Sequence, residues 1–199
     1  MTPVPPLHTF PLFDEPYGKW ERLPRTFRIV LREVEEDGRV CVPMTIKDGI
    51  RLGDPQIDNA YIEDGYRFHD ALHASFLALF GWSPVLRTLM QRRRSSNPVL
   101  YDVEDTGRAV VIEETIVTLV FNFAGASGLR NGVTRIDPAL IRTIREITGF
   151  LEVQCYADEH WEQAILLGLD CWRLLLQHRR GLLRGNLHQR TMTFEGITP

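Results

Sequence analysis

Hydrophobic and polar residues alternate in two runs near the N-terminus, which is the pattern of β-strands with one buried face. The runs extend from Phe27 to Leu31 and from Val40 to Ile46, and the pair Asp37-Gly38 lies between them. An Asp-Gly pair favours the tight turn of a β-hairpin. A third short run with strand character, Thr191 to Phe194, lies near the C-terminus. The pattern therefore predicts a small antiparallel hairpin or three-stranded sheet.

The rest of the chain has the 3.6-residue period of amphipathic helices. Ser83-Pro84 and Asp137-Pro138 each put an N-cap residue before a proline at the first helical position. We expect about five helices, over roughly 64–80, 84–94, 106–124, 138–149 and 158–180. The predicted fold is mainly α, within the α+β class, with a bundle-like helical core and the small sheet beside it.

Residues 1–24 differ from the remainder because they contain six prolines and little periodicity. Proline lacks a backbone donor and fixes φ, so we expect an extended arm here, followed by a single helical domain with an N-terminal β-hairpin over 25–199. The arm is either a disordered tail or a segment that packs on its own domain, a partner protein or a second copy. Its apolar side chains favour packing: Phe10, Leu12, Phe13, Tyr17 and Trp20.

The composition is that of a globular domain, with 199 residues, 44% hydrophobic and 25% charged. A formal net charge of −3 does not indicate a nucleic-acid partner. Three widely spaced cysteines fit a reducing compartment better than a disulfide framework. Neither a membrane span of about 18 apolar residues nor a signal-peptide pattern is found. We expect a cytoplasmic protein with no membrane partner.

Ionisable residues fall on the apolar faces of two predicted helices. On a helical wheel, His69 and His73 share a stripe with large apolar side chains, and Asp70 lies about 100° away at its margin. In the third helix Glu113 points with the valines, and Glu114 stands at the edge of that stripe. A lone buried carboxylate costs several kcal/mol unless it is partnered. The sequence therefore predicts one shared cluster across the two packed helices.

Three interpretations of this cluster remain open. It is a structural histidine–carboxylate network, a divalent-metal site, or a metal-free acid–base site. The metal interpretation makes His69, Asp70, His73 and Glu113 the ligands, because His-x-x-x-His sets two imidazoles one turn apart and carboxylates add oxygen ligands. Glu114 or Asp64 would then act as the catalytic base.

Substrate-binding candidates lie near the start of the first predicted helix and at the end of the second. They are Asn59 and Arg67 in the preceding segment, and Arg92, Arg93 and Arg94 at the end of the second helix. Guanidinium groups bind phosphate oxygens in a bidentate manner. The alternative is that the loop only caps a helix and that the arginine run only complements a helix dipole.

Four segments carry a resemblance to a known family: GDPQIDNAYIEDGYRFHDALHASFLALFGWSPVLRTLM, RRRSSNP, VEDTGRAVVIEE and EHWEQAILLG. Over roughly residues 22–195 the chain resembles the C-terminal module of bacterial MazG-type nucleotide pyrophosphohydrolases. Its most specific parts are YRFHDALH and GRAVVIEE. The resemblance implies a nucleotide or other phosphate-containing small molecule as partner, magnesium or manganese rather than zinc as cofactor, and an α-helical architecture.

The chain departs from the pattern of MazG-type catalytic modules, which usually have an EExxE helix followed by an ExxD helix. Here Thr115, Ile116 and Val117 follow the two glutamates, so the third acid is missing. The resemblance is therefore to the companion module. We expect a metal-dependent hydrolase acting on a nucleotide or related phosphate ester; the alternative is a non-catalytic regulatory module that binds a nucleotide or a protein.

Overall fold

The computed structural model describes residues 4–46 and 49–197, and for residues 124–131 it describes the backbone alone. Six strands form one antiparallel sheet in the order β2-β3-β1-β5-β6, with β4 also paired to β3. Their bounds are β1 Thr26–Arg32, β2 Val34–Glu36, β3 Arg39–Thr45, β4 Arg51–Gln56, β5 Arg180–Asn186 and β6 Thr191–Glu195. The prediction of a mainly helical protein with a small hairpin or three-stranded sheet is wrong, because the sheet is about twice that size.

The interior strand β5, which pairs with β1 and β6, explains much of this error. Its sequence RGLLRGN contains two glycines, which weaken strand propensity. In the structure these glycines make room for aromatic rings: a Cβ on Gly181 would lie 2.1 Å from the ring of Phe194, and one on Gly185 would lie 2.2 Å from Phe27. The glycines are thus required by packing across the sheet, which the local sequence does not reveal.

Among the described residues there are six α-helices, two of them short. They are α1 Asp70–Phe80, α2 Pro84–Leu89, α3 Pro98–Glu104, α4 Gly107–Asn131, α5 Pro138–Ile147 and α6 Asp158–His178. The predicted N-caps are confirmed, since Ser83 accepts a hydrogen bond from Leu86 N and Asp137 accepts one from Ala139 N. The helix α3 was not predicted, although Asn97-Pro98 has the same cap signal. No helix in this part of the chain has the length and apolar character needed to cross a membrane.

Helix α1 is the centre of the molecule, and all eleven of its residues are buried. It packs against β5 and β6 on one side and against α6 on another. Gly168 of α6 allows this close contact, because a Cβ there would lie 2.6 Å from Leu72 Cδ2 and 2.8 Å from Ser75 Oγ. The position of α1 is therefore fixed by packing along its whole length.

The described part of the proline-rich arm, from Val4, packs on its own domain. Leu7, Leu12 and Leu23 are buried in the common core. Asp14 anchors the arm, because it accepts hydrogen bonds from Leu23 N and from the side chains of Arg25 and Arg87. These contacts support the packing interpretation of the arm over that of a disordered tail.

Candidate functional site

The candidate site lies at the start of α1, and a tightly held approach segment positions it. Asp58 accepts hydrogen bonds from Gly65 N and Arg67 N. Gly65 has a φ of 90°, and its carbonyl accepts a hydrogen bond from Trp172 Nε1. A Cβ at Gly65 would lie 3.0 Å from the Trp172 ring. Any residue other than glycine would also be strained at this positive φ. The entry of the chain into α1 is thus defined by both conformation and packing.

His69 is buried, and its ring orientation is fixed. Its Nδ1 lies 2.8 Å from the carbonyl oxygen of Tyr66, and the Tyr66 ring stacks on it at a centroid distance of 4.3 Å. A carbonyl only accepts hydrogen bonds, so His69 Nδ1 carries the hydrogen. Burial lowers the pKa of His69 and favours the neutral ring, whose lone pair is then on Nε2.

The ring of His73 is also held through its Nδ1, in this case by a carboxylate from α4. Its Nδ1 donates to Glu113 Oε1 at 2.8 Å, and both side chains are fully buried. Its Nε2 is buried and has no hydrogen-bond partner among the described residues; Glu114 Oε2 is 3.6 Å away. Burial opposes charge on this ring, but Glu113 and Glu114 outweigh it and raise the pKa of His73 to about 10. In the absence of a cation, a proton on Nε2 is the compensating charge.

Glu113 points inward from α4 and contacts more than His73. Besides His73, its carboxylate accepts hydrogen bonds from Ser83 Oγ at 2.7 Å and from Val85 N at 2.8 Å. Both donors belong to the start of α2, where a negative charge is favourable. The carboxylate is thus satisfied by three donors, and Glu113 is not among the residues whose ligand atoms converge within 4.8 Å. The cap signal at Ser83 was visible in the sequence, but its contact with Glu113 was not.

The remaining three predicted ligands come together. One ligand atom from each of His69, Asp70 and His73 lies within 4.8 Å of the others, and all three residues are buried. Asp70 Oδ1 is 3.9 Å from His69 Nε2. The donor set that fits a divalent metal consists of two imidazole nitrogens and a carboxylate oxygen. Hydrogen bonds at both Nδ1 atoms fix the orientation of the two rings. This geometry supports the metal interpretation.

Glu114 is the acid at the mouth of the cluster. Its side chain is 43% exposed, whereas Glu113 beside it is fully buried. Burial raises the pKa of Glu114, but the interaction with His73 lowers it by more, so the net direction is downward. Glu114 is therefore an ionised carboxylate that reaches both the cluster and solvent.

Three other predicted residues lie in the approach segment before α1. Asp64 accepts a hydrogen bond from Tyr66 N at 2.9 Å and so supports the turn before α1. Arg67 is buried between Asp58 at 2.6 Å and Glu33 at 3.2 Å, which neutralise its charge. Asn59 is exposed, with a positive φ of 51°. These contacts fit the capped-loop interpretation of the segment.

The arginine run is divided among three environments. Arg94 is buried and ion-paired to both Asp105 and Glu152 at 2.7 Å. Arg93 donates to Thr88 Oγ1 and lies over the ring of Tyr101. Arg92 donates to backbone carbonyl oxygens of the arm. Arg94 is thus committed to internal partners, and none of these three arginines contacts the histidine cluster within the described contacts.

The comparison with protein families covers nearly the whole chain. Residues 8–198 match the MazG C-terminal domain. The chain belongs to this family. The resemblance expected from the sequence is thereby confirmed, and it connects the protein with MazG-type proteins. Neither a curated protein nor a solved structure matches the chain.

Proposed function

We propose that this MazG C-terminal domain is a metal-dependent hydrolase that acts on a nucleotide or a related phosphate ester. One observation carries the proposal: the buried Nε2 of His73 has no hydrogen-bond partner among the described residues, and His73 belongs to a buried group in which one ligand atom each of His69, Asp70 and His73 lie within 4.8 Å of one another. Buried polar atoms are satisfied in the great majority of cases, so such an atom calls for a ligand. A cluster of perturbed ionisable groups is also typical of functional sites.

The residues divide into three roles. His69, Asp70 and His73 would hold the cation, while Tyr66 and Glu113 keep the two imidazole rings in the orientation that presents Nε2. Two nitrogen ligands favour manganese over magnesium, because magnesium prefers oxygen ligands alone. When bound, such a cation lowers the pKa of a water molecule and offsets phosphate charge.

Glu114 is our candidate for the general base. It is ionised, partly exposed and 3.6 Å from His73 Nε2. In the proposed reaction a water oxygen attacks phosphorus, the bond from phosphorus to the leaving oxygen breaks, and Glu114 takes the proton from the water. Asp64 supports the turn that carries His69, so we assign it a positioning role instead.

The test is a screen of nucleoside triphosphates with the metal-free protein and added Mn²⁺, Mg²⁺ or Zn²⁺. We expect turnover that depends on the metal, that is lost in Asp70→Asn and in Glu114→Gln, and that is unchanged in His188→Ala, an exposed histidine outside the cluster. Metal content separates the two site variants, because Asp70→Asn should lose the metal and Glu114→Gln should retain it. Absence of turnover with every nucleotide would contradict the hydrolase proposal.

The second candidate is a non-catalytic module that binds a nucleotide or a protein. It is favoured by the missing third acid after Glu113-Glu114, where MazG-type catalytic modules have one. In that case a metal would raise the melting temperature of the wild type without any turnover. Unchanged melting with all three metals would instead favour the structural network.

A further inference from the structure

A cavity of about 570 Å³ lies between the end of the arm, the start of β1 and the end of α2. This volume is within the usual range for small-molecule sites. None of its lining residues belongs to the histidine cluster, so it is a separate place on the molecule. Nothing in the hydrolase proposal accounts for it.

The rim of the cavity is cationic. Its charged lining residues are Lys19, Arg22, Arg25, Arg28 and Arg92, and no acidic residue lines it among the described residues. Of these five side chains, only Arg25 has an acidic partner among the described residues, Asp14 at 2.7 Å. Arg22 and Arg92 donate to backbone carbonyls, which leaves their positive charge uncompensated. Five cations around one cavity in a protein with a net charge of −3 indicate an anionic ligand.

Arg28 is the most informative of these side chains. It is exposed on β1, directly opposite Arg184 of β5. The nearby acid Glu195 is already held by Arg184 in two hydrogen bonds of 2.7 and 3.0 Å. Like charges directly opposite on a sheet are unfavourable, so an anion bound at Arg28 would relieve repulsion as well as form contacts.

The floor of the cavity is apolar. Leu23, Phe27, Ile46 and Met90 contribute to it, and Phe27 belongs to the buried core. An inorganic anion alone would leave this surface in contact with water. Burying a flat ring against it is favourable by about 25 cal/mol for each Å² of apolar surface removed from water.

We propose that this cavity binds a small molecule with both a phosphate chain and a flat, largely apolar ring system, the chemistry of a mononucleotide. The rim binds the phosphates, and the floor takes the ring. The site is independent of the metal cluster, and binding here needs no metal.

The experiment is calorimetric titration of the full chain with ATP in the presence of EDTA, which keeps the metal cluster out of the measurement. Adenosine and tripolyphosphate are titrated separately. We expect ATP to bind more tightly than either fragment, and Arg28→Glu to weaken ATP binding by at least about tenfold. Arg32→Glu is the matched control, because Arg32 is an exposed arginine on the same face of β1 and does not line the cavity.

Each outcome is decisive. Equal affinity for ATP and tripolyphosphate would overturn the role of the apolar floor. An equal loss of ATP affinity in Arg28→Glu and Arg32→Glu would show that only the overall charge of the protein matters, and not this cavity. Failure of ATP to bind the wild type would overturn the proposal altogether. Asp70→Asn distinguishes this site from the hydrolase site, since it should leave ATP binding in EDTA unchanged while it removes metal-dependent turnover.

Discussion

The buried charges around Arg94 and those around His73 differ in how completely they are satisfied. In the first, every nitrogen of the Arg94 guanidinium donates to an acceptor, mainly to the carboxylates of Asp105 and Glu152. In the second, His73 is held by Glu113 on one nitrogen, while its other nitrogen has no partner in the described part of the chain. The central residues of both clusters are buried: Arg94 and Asp105 in the first, and His73 and Glu113 in the second.

Whether every polar atom of a cluster has a partner distinguishes a structural cluster from a binding site better than burial or charge alone. A buried cation whose donors are all used has nothing left to offer a ligand, so the Arg94 cluster is a clamp that joins α3, the segment after α2 and the turn at Glu152. A buried imidazole with one unused nitrogen, beside two further ligand groups, is arranged for something else to bind.

The largest effect should come from opening the clamp. Asp105→Ala leaves Arg94 with a buried charge that Glu152 alone offsets, and we expect a loss of about 3–5 kcal/mol in the free energy of unfolding. Chemical denaturation measures it. Asp102→Ala is the control, because Asp102 is an exposed aspartate on α3, the helix that Asp105 follows. A loss as small as that of the control would mean that the clamp contributes little.

Glu113→Gln should have an intermediate effect. It replaces a carboxylate that accepts three hydrogen bonds by an amide that cannot accept all of them, which costs about 1–3 kcal/mol. It also removes the group that orients His73, so affinity for Mn²⁺ should fall about 10- to 100-fold. Unchanged Mn²⁺ affinity in a folded variant would contradict the orienting role.

Glu104, at the edge of the clamp, gives a pH test. Burial, followed by the charge of Glu152, raises the pKa of Glu104 to about 7. The folded state therefore holds this proton more tightly than the unfolded chain does, and the contribution to stability is lost as the pH rises through 7. Glu104→Gln should remove that part of the pH dependence. Denaturation of both proteins at pH 5 and pH 8 tests it; an identical change in both would contradict the shift.

The smallest effect on stability is expected for Asp70→Asn. Asp70 accepts no hydrogen bond among the described contacts, although it is buried, so removal of its charge should change the free energy of unfolding by no more than about 1 kcal/mol. Metal binding should nevertheless be lost. A large destabilisation, without any change in metal binding, would place Asp70 with the clamp and not with the site.

The sequence predicted the parts of the fold that depend on local signals. The Asp37-Gly38 turn joins β2 and β3 with positive φ at both residues, and the caps at Ser83 and Asp137 begin helices as expected. The strands β4 and β5 were missed, because Gly53, Gly181 and Gly185 conceal a pattern that only the assembled sheet explains. Glycine is required at such positions because neighbouring side chains occupy the space that a Cβ would need.

For the site, the sequence predicted which helix faces carry the ionisable residues but not the contacts that their atoms make. Periodicity aimed Glu113 and His73 inward, and they meet at 2.8 Å. Which atom of each residue is used depends on contacts distant in sequence, such as Glu113 with Val85. For the same reason the sequence could not distinguish Arg94, whose partner Glu152 is 58 residues away, from an arginine that binds phosphate.

The most direct test of the unused nitrogen is a crystal grown with Mn²⁺ and measured at the manganese absorption edge. We predict an anomalous peak at coordination distance from Nε2 of both His69 and His73, with Glu113 still bound to Nδ1 of His73. No peak at this position, and His73 Nε2 bonded to Glu114 instead, would show that the cluster is closed in the way the Arg94 clamp is.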